Sequence, residues 1–244
     1  MTYSNQVALI TGSTSGIGVA IASKLSSDGY TVVQNSRSNV DKSELISNQH
    51  YVADVTIEAD CKELVEKIKN DYGRLDVLVC NVGSGRPLPM ETIGKDYWDH
   101  YLTVNLLSAT LIIESSLSLL AENKGRVIAI SSICAEDPRI KAPLGYSSAK
   151  AALQVFMKTM AVNYGGSGLT FNVVSPGNVF FEGSVWDKKL QENYFAVQKY
   201  INEVVPLRRF VTDQDIAESV SFLVSEKAKN ITGVVLKLDG GQSI

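Results

Sequence analysis

Histidine and cysteine are scarce in this chain, with two of the first and three of the second. His50 and His100 lie far apart, and Cys61, Cys80 and Cys134 form no Cys-x-x-Cys pair. Without a cluster of nitrogen and sulfur ligands no metal site is expected. Three scattered thiols also give no disulfide framework, which predicts a reducing, cytoplasmic setting. Charge is equally sparing. Lysine and arginine number 23 against 26 aspartates and glutamates, a net charge of -3 with pI near 5.5. No long basic stripe is present, so no nucleic-acid partner is expected. An unbroken run of eighteen apolar residues is missing, and with it the expectation of a membrane span. The opening MTYSNQVALITG has no basic stretch and enters a strand directly, unlike a signal peptide. There is no linker-like shift in composition and no short repeat, so residues 1–244 are expected to form one domain.

What the chain does have is an alternation of two patterns over 244 residues, 45% of them hydrophobic. Short β-branched runs stand at 6–11, 30–35, 50–54, 75–81, 125–132, 169–177 and 234–241. Helical spacing fills 16–29, 58–73, roughly 95–123, and 145–164. Apolar strands separated by helices predict an α/β fold: a Rossmann-like, doubly wound parallel sheet of about seven strands, with helices on both faces. Ligands bind such sheets beyond the carboxyl ends of the strands. The stretch 178–205 is the least regular. It carries Phe180, Phe181, Trp186, Tyr194 and Phe195 and is expected to cover a substrate.

TGSTSGIG, residues 11–18, joins the first strand to the first helix. Gly12 permits a tight turn, Gly16 lets a pyrophosphate approach the backbone, and Gly18 lets helix and strand pack closely. The helix N-terminus adds unpaired N–H groups and a positive dipole end. Gly12, Ser13, Thr14, Ser15, Gly16, Ile17 and Gly18 are therefore candidate contacts to a dinucleotide. An acidic residue at the second strand end would favour NAD. The chain has Asn35, Ser36 and Arg37 there. A guanidinium can fork onto a 2′-phosphate, so NADP is expected, with NAD as the alternative. Asp54, followed by Val55, is a candidate acceptor for the adenine amino group, and Thr56 is the better placed cap for the helix beginning near Glu58.

GYSSAK, residues 145–150, sets Tyr146 one helical turn from Lys150. A phenol is a poor base at neutral pH, and a neighbouring cation favours its ionised form. Lys150 is also placed to bond cofactor ribose. Ser132, at the end of the fifth strand, is positioned to hold a substrate oxygen while hydride moves. Asn105 is polar inside an apolar helical run, and a buried amide needs hydrogen-bond partners.

Together these residues resemble the short-chain dehydrogenase/reductase family in its compact, classical form, and within it the 3-oxoacyl-carrier-protein reductase-like branch. The likeness covers nearly the whole chain. Thr11, Gly12, Gly16, Ile17 and Gly18 match TGxxxGIG. CNVG keeps Asn81 and Gly83 of the family's NNAG. Asn105, Ser132, Tyr146 and Lys150 match the helix asparagine and the catalytic serine, tyrosine and lysine. Pro176 and Gly177 match the PG after the sixth strand, and 231–241 the C-terminal strand.

The resemblance implies a nicotinamide cofactor, a small carbonyl or alcohol substrate, and a homotetramer or homodimer. It gives Tyr146 the proton transfer and Lys150 the lowering of its pKa. Ser132 would hold the substrate oxygen, and Asn105 a water relay. Asn81, Val82, Gly83 and Val179 would lie at the cofactor. Departures stand at Cys80 and Val82, and at Ser15, where the family often has a basic residue. Phe181 replaces a common threonine, and the interval from Ser132 to Tyr146 is one residue longer than usual. A non-catalytic dinucleotide-binding scaffold and a nucleotide-sugar epimerase or dehydratase are the competing functions. Arg86, Arg139, Lys141, Trp186 and Tyr194 are candidate neighbours of the substrate.

Overall fold

The computed structural model describes residues 5–41, 45–47, 49–88, 93–137 and 142–244. The first half runs β1 (Val7–Ile10), α1 (Gly16–Ser27), β2 (Thr31–Ser36), β3 (His50–Val52), α2 (Glu58–Tyr72), β4 (Val77–Cys80), α3 (Lys95–Leu102) and α4 (Ser108–Glu122). Next come β5 (Arg126–Ile130), α5 (Leu144–Tyr164), β6 (Thr170–Pro176), β7 (Val179–Phe180), α6 (Val185–Glu192) and α7 (Tyr194–Val204). The chain closes with β8 (Val211–Thr212), α8 (Asp213–Val224) and β9 (Val235–Leu238). Seven parallel strands form one sheet in the order β3-β2-β1-β4-β5-β6-β9, and β7 and β8 pair separately. This is the expected Rossmann-like sheet.

The central strands β1 and β4 are apolar at every position because both faces are covered, and β6 sets buried Thr170, Asn172 and Ser175 among its apolar residues. Leu9, Leu78, Val127 and Phe171 face a core that holds Ile112, Ile113, Leu153 and Met157. Residues of opposite parity on the same strands, Ile10, Val79, Ile128 and Val174, face the opposite core, with Ile21, Leu25, Ile216 and Val220. The period of two thus divides one hydrophobic run between two layers. From β1 the chain winds outward to β2, and from β4 the other way to β5. The switch between β1 and β4 opens a crevice at the carboxyl ends of the strands.

Two elements stand out. Lys95–Glu122 is one continuous helical stretch, long and apolar enough by length and composition to cross a membrane. It is the helical region expected at roughly 95–123, and Asn105, Ser108, Thr110, Ser115 and Ser116 keep it from being an unbroken apolar run. Half of its most apolar window is buried inside the protein, where α4 packs on α2 and the sheet. The stretch 178–205 is also more regular than expected, with two helices joined at Asn193. Ser184 and Asn193 each cap the helix that follows, accepting from Asp187 N–H and Ala196 N–H. A small satellite core of Val197, Ile201 and Val205 lies beneath α7, flanked by Trp186 and Tyr200.

Candidate active site

A cleft of about 480 Å³ opens at the switch point. The glycine turn forms one end. Gly12 and Gly16 have φ of +60° and +55°, the left-handed region that glycine adopts without strain. Gly18 is required by contact: a β-carbon there would stand 2.4 Å from the Gly12 carbonyl oxygen. Asn81 pins the turn from β4, its Nδ2 donating to the carbonyls of Thr11 (3.1 Å) and Gly12 (3.0 Å). Ser15 precedes α1 without making a side-chain cap. The first amides of α1 are thus left for an anion. Bare glycine faces, an uncapped helix start and a cradle fixed by Asn81 fit a dinucleotide pyrophosphate.

The other end carries the candidate proton-transfer groups. Ser132, Tyr146 and Lys150 all line the same cleft, with Ser84, Gly85 and Arg86 opposite. Gly85 packs on the Tyr146 ring, where an added β-carbon would meet Cε1 at 3.2 Å. Burial pushes the Tyr146 phenol up to about 12, and a bond with Ser132 offsets part of the rise. Lys150 is fully buried and donates to the Ile130 carbonyl at 2.8 Å. Desolvation pulls its ammonium down to about 8, opposed by Cys80. A lowered phenol is therefore not found here. Lys150 is turned to a backbone acceptor on β5.

Asn105 lies behind the cleft, wholly buried. Its Nδ2 donates to the Tyr101 carbonyl (3.1 Å), four residues back, where a regular helix would place the backbone N–H. The helix responds with a π turn over Thr103–Leu107. The same amide accepts from Ser84 N–H (2.7 Å) and donates to Ser84 O (3.1 Å), so it fixes the loop over Tyr146.

Gly12, Ser15, Gly16, Ile17, Asn81, Val82, Gly83, Pro176, Gly177 and Val179 line the cleft as well. Ser13, Thr14, Gly18, Ser36, Arg37, Asp54 and Val55 do not. Ser13 is buried and occupied, donating to Ile10 O and accepting from Asn35 N–H. Val55 is a core residue. Arg37 is exposed at the end of β2. The Ser36 hydroxyl sits between the Ser38 carbonyl (2.6 Å) and His50 Nε2 (2.7 Å). Thr56 does not cap α2, contrary to expectation. Its amide and hydroxyl both donate to Asp54 Oδ1, at 3.0 and 2.7 Å, and the cap position falls to Ile57.

Of the candidate substrate neighbours, Arg86 lines the cleft. Trp186 stacks on Tyr200 instead, and Tyr194 is exposed. Arg139 and Lys141 lie outside the described residues. The sequence reading passed over Cys134, whose sulfur accepts from Ser132 Oγ at 3.2 Å. It also passed over Tyr97 and Tyr101, which hold Gly145 N–H and Arg86 O. No motif marks these residues; only tertiary contact shows them.

Comparison with known proteins agrees with this geometry. A family model described as enoyl-(acyl carrier protein) reductase matches residues 12–243. A 3-oxoacyl-acyl-carrier-protein reductase of Haemophilus influenzae is 33% identical over 243 residues, covering 97% of each chain. Glucose 1-dehydrogenase 2 of Bacillus subtilis is 30% identical over 252 residues, covering 98% of this chain and 95% of that one. The crystal structure of levodione reductase superposes with a TM-score of 0.87 at 28% identity, covering 99% of this chain and 98% of that one. With the sheet order, glycine turn and cleft already in place, these matches decide the assignment: the chain belongs to the short-chain dehydrogenase/reductase family, classical type, close to its 3-oxoacyl-acyl-carrier-protein reductase branch, and is an NAD(P)-dependent oxidoreductase acting on CH–OH and C=O groups.

Proposed function

We propose that this enzyme interconverts a secondary alcohol and a ketone, prefers NADP, and uses Tyr146 as its proton-transfer group. One observation carries the reading: the glycine turn, Ser132, Tyr146 and Lys150 meet in a single cleft at the sheet's switch point. A nicotinamide nucleotide, when bound here, would supply or accept the hydride. Gly12, Gly16 and the start of α1 would hold its pyrophosphate, and Asn81, Gly177 and Val179 would flank its reactive end. Ser132 holds the substrate oxygen. A phenol raised to about 12 keeps its proton at neutral pH, which suits donation to an oxygen gaining negative charge. Lys150, held by the Ile130 carbonyl, lines the same cleft and would bond cofactor ribose.

The NADP preference rests on the end of β2. Residues 34–38 read QNSRS, with no carboxylate to repel a 2′-phosphate and with an exposed Arg37 to receive it. The test is oxidation of NADPH and of NADH, followed by absorbance, over ketoacyl thioesters, keto sugars and ketosteroids. We expect turnover of at least one class, with kcat/KM for NADPH about tenfold or more above NADH, as one charge-assisted bond implies. Turnover with neither nucleotide, or a preference for NADH, would sink the reading.

A further inference from the structure

Phe181, directly after β7, touches the glycine turn. A β-carbon built on Gly16 would lie 2.9 Å from the ring's Cζ and 3.1 Å from its Cε2. The ring edge therefore rests on the face of Gly16 that the absent side chain leaves bare. In a strand–turn–helix dinucleotide site the pyrophosphate approaches this glycine. Ring and phosphate compete for one place. The ring belongs to the same cleft as Ser132 and Tyr146, so it stands inside the site.

The backbone that carries Phe181 forms a tight turn between β7 and α6. Ser184 N–H donates to Phe181 O at 3.0 Å and Phe181 N–H to Ser184 Oγ at 3.4 Å, closing a tight turn on itself. Gly183 within it has φ of +79° and open space where a β-carbon would stand. Glu182 and Gly183 are exposed. Uncovering Gly16 needs movement of the ring alone, a side-chain rotation between staggered rotamers.

We propose that Phe181 is a gate on the dinucleotide turn: its phenyl ring must leave Gly16 before a pyrophosphate can seat there. This rests on the reading of the cleft as a dinucleotide site. Binding then draws only on the fraction of molecules with the ring swung out, and apparent affinity falls by that fraction. Partial burial of a phenyl ring favours the closed position by on the order of tenfold. Association slows by a similar factor, because nucleotide meets a closed site most of the time.

The experiment is stopped-flow and equilibrium binding of NADPH to the wild type, Phe181→Ala and Phe181→Thr, with adenosine 2′-monophosphate as a probe that lacks a pyrophosphate. Melting curves establish that the variants fold. NADPH should bind both variants about tenfold more tightly and associate faster, with the monophosphate unchanged. NADPH binding that is equal or weaker in both variants overturns the gate. So does an equal gain for the monophosphate, which would mean general loosening. If NADPH binds none of the three proteins, the wild type included, the dinucleotide reading itself falls and the gate with it.

Discussion

Replacing Lys150 with methionine should abolish turnover and yet raise the melting temperature near pH 7. The ammonium is buried, and desolvation brings it from 10.5 to about 8. At about 1.4 kcal/mol for each tenfold in proton affinity, keeping it charged below pH 8 costs about 3 kcal/mol. Methionine has similar length and no charge, so it removes that cost with little repacking. It also gives up the bond to Ile130 O, a charge-assisted contact that stabilises by about 1.5–3 kcal/mol. The net gain at pH 7 is on the order of 1 kcal/mol, or about 2–4 °C for a chain of this size.

The pH dependence is the sharper readout. Between about pH 8 and 10.5 the unfolded lysine holds a proton that the folded one has released. The unfolded state binds more protons, so wild-type stability rises with pH through this window, by up to about 3 kcal/mol. The variant has no such term. Its advantage should shrink from pH 8 upward and reverse by about pH 10. Calorimetric melts of both proteins at pH 7, 8, 9 and 10 measure the gap. Parallel curves, or a gap widening in the variant's favour, would refute the placement of an uncompensated charge at this site.

Other substitutions test separate parts of the account. Gly18→Ala drives a methyl into the Gly12 carbonyl, a backbone atom that cannot rotate away; stability should fall by about 3 kcal/mol and NADPH binding should be lost, and a melt within about 1 °C of wild type would contradict this. Asn105→Ala removes three buried bonds, to Tyr101 and Ser84, and should cost about 3 kcal/mol; calorimetry checks the loss, and a cost under about 0.5 kcal/mol would mean that the π turn holds without it. Arg37→Ala should raise the Kd of NADPH by about tenfold or more and leave NADH unchanged; equal effects on both nucleotides in a binding titration would remove Arg37 from 2′-phosphate recognition.

Much of this molecule was legible in its sequence, for physical reasons that can be named. LDVLVCN and GRVIAISS read as strands because both faces of a central strand are buried and every position must be apolar. Gly12, Gly16 and Gly18 read as a turn because each has a separate steric reason to lack a side chain, and the structure shows two positive φ values and one backbone clash. Asn105 stood out as a polar residue in an apolar helix, but the π turn it imposes depends on which carbonyl its amide reaches.

Other features were hidden for similar reasons. The turn of Lys150 toward the Ile130 carbonyl was hidden, because helical spacing says nothing of an acceptor on β5. Two helices in 178–205 went unread although both are strongly amphipathic, because they follow one another with Asn193 alone between them and read as one irregular stretch. The capping box of α8, Thr212 with Asp215, was in the sequence and went unread. Phe181 was visible as a departure, but its seat on Gly16 is a contact across more than 160 positions that no local pattern encodes.

The central claim is that Tyr146 moves the proton in a cleft that binds the dinucleotide independently of it. Turnover of the best ketone substrate and the Kd for NADPH should be measured side by side for the wild type and Tyr146→Phe. The variant should lose about a thousandfold in kcat, with its Kd within about twofold of wild type. Turnover retained within about tenfold of wild type would show that another group transfers the proton.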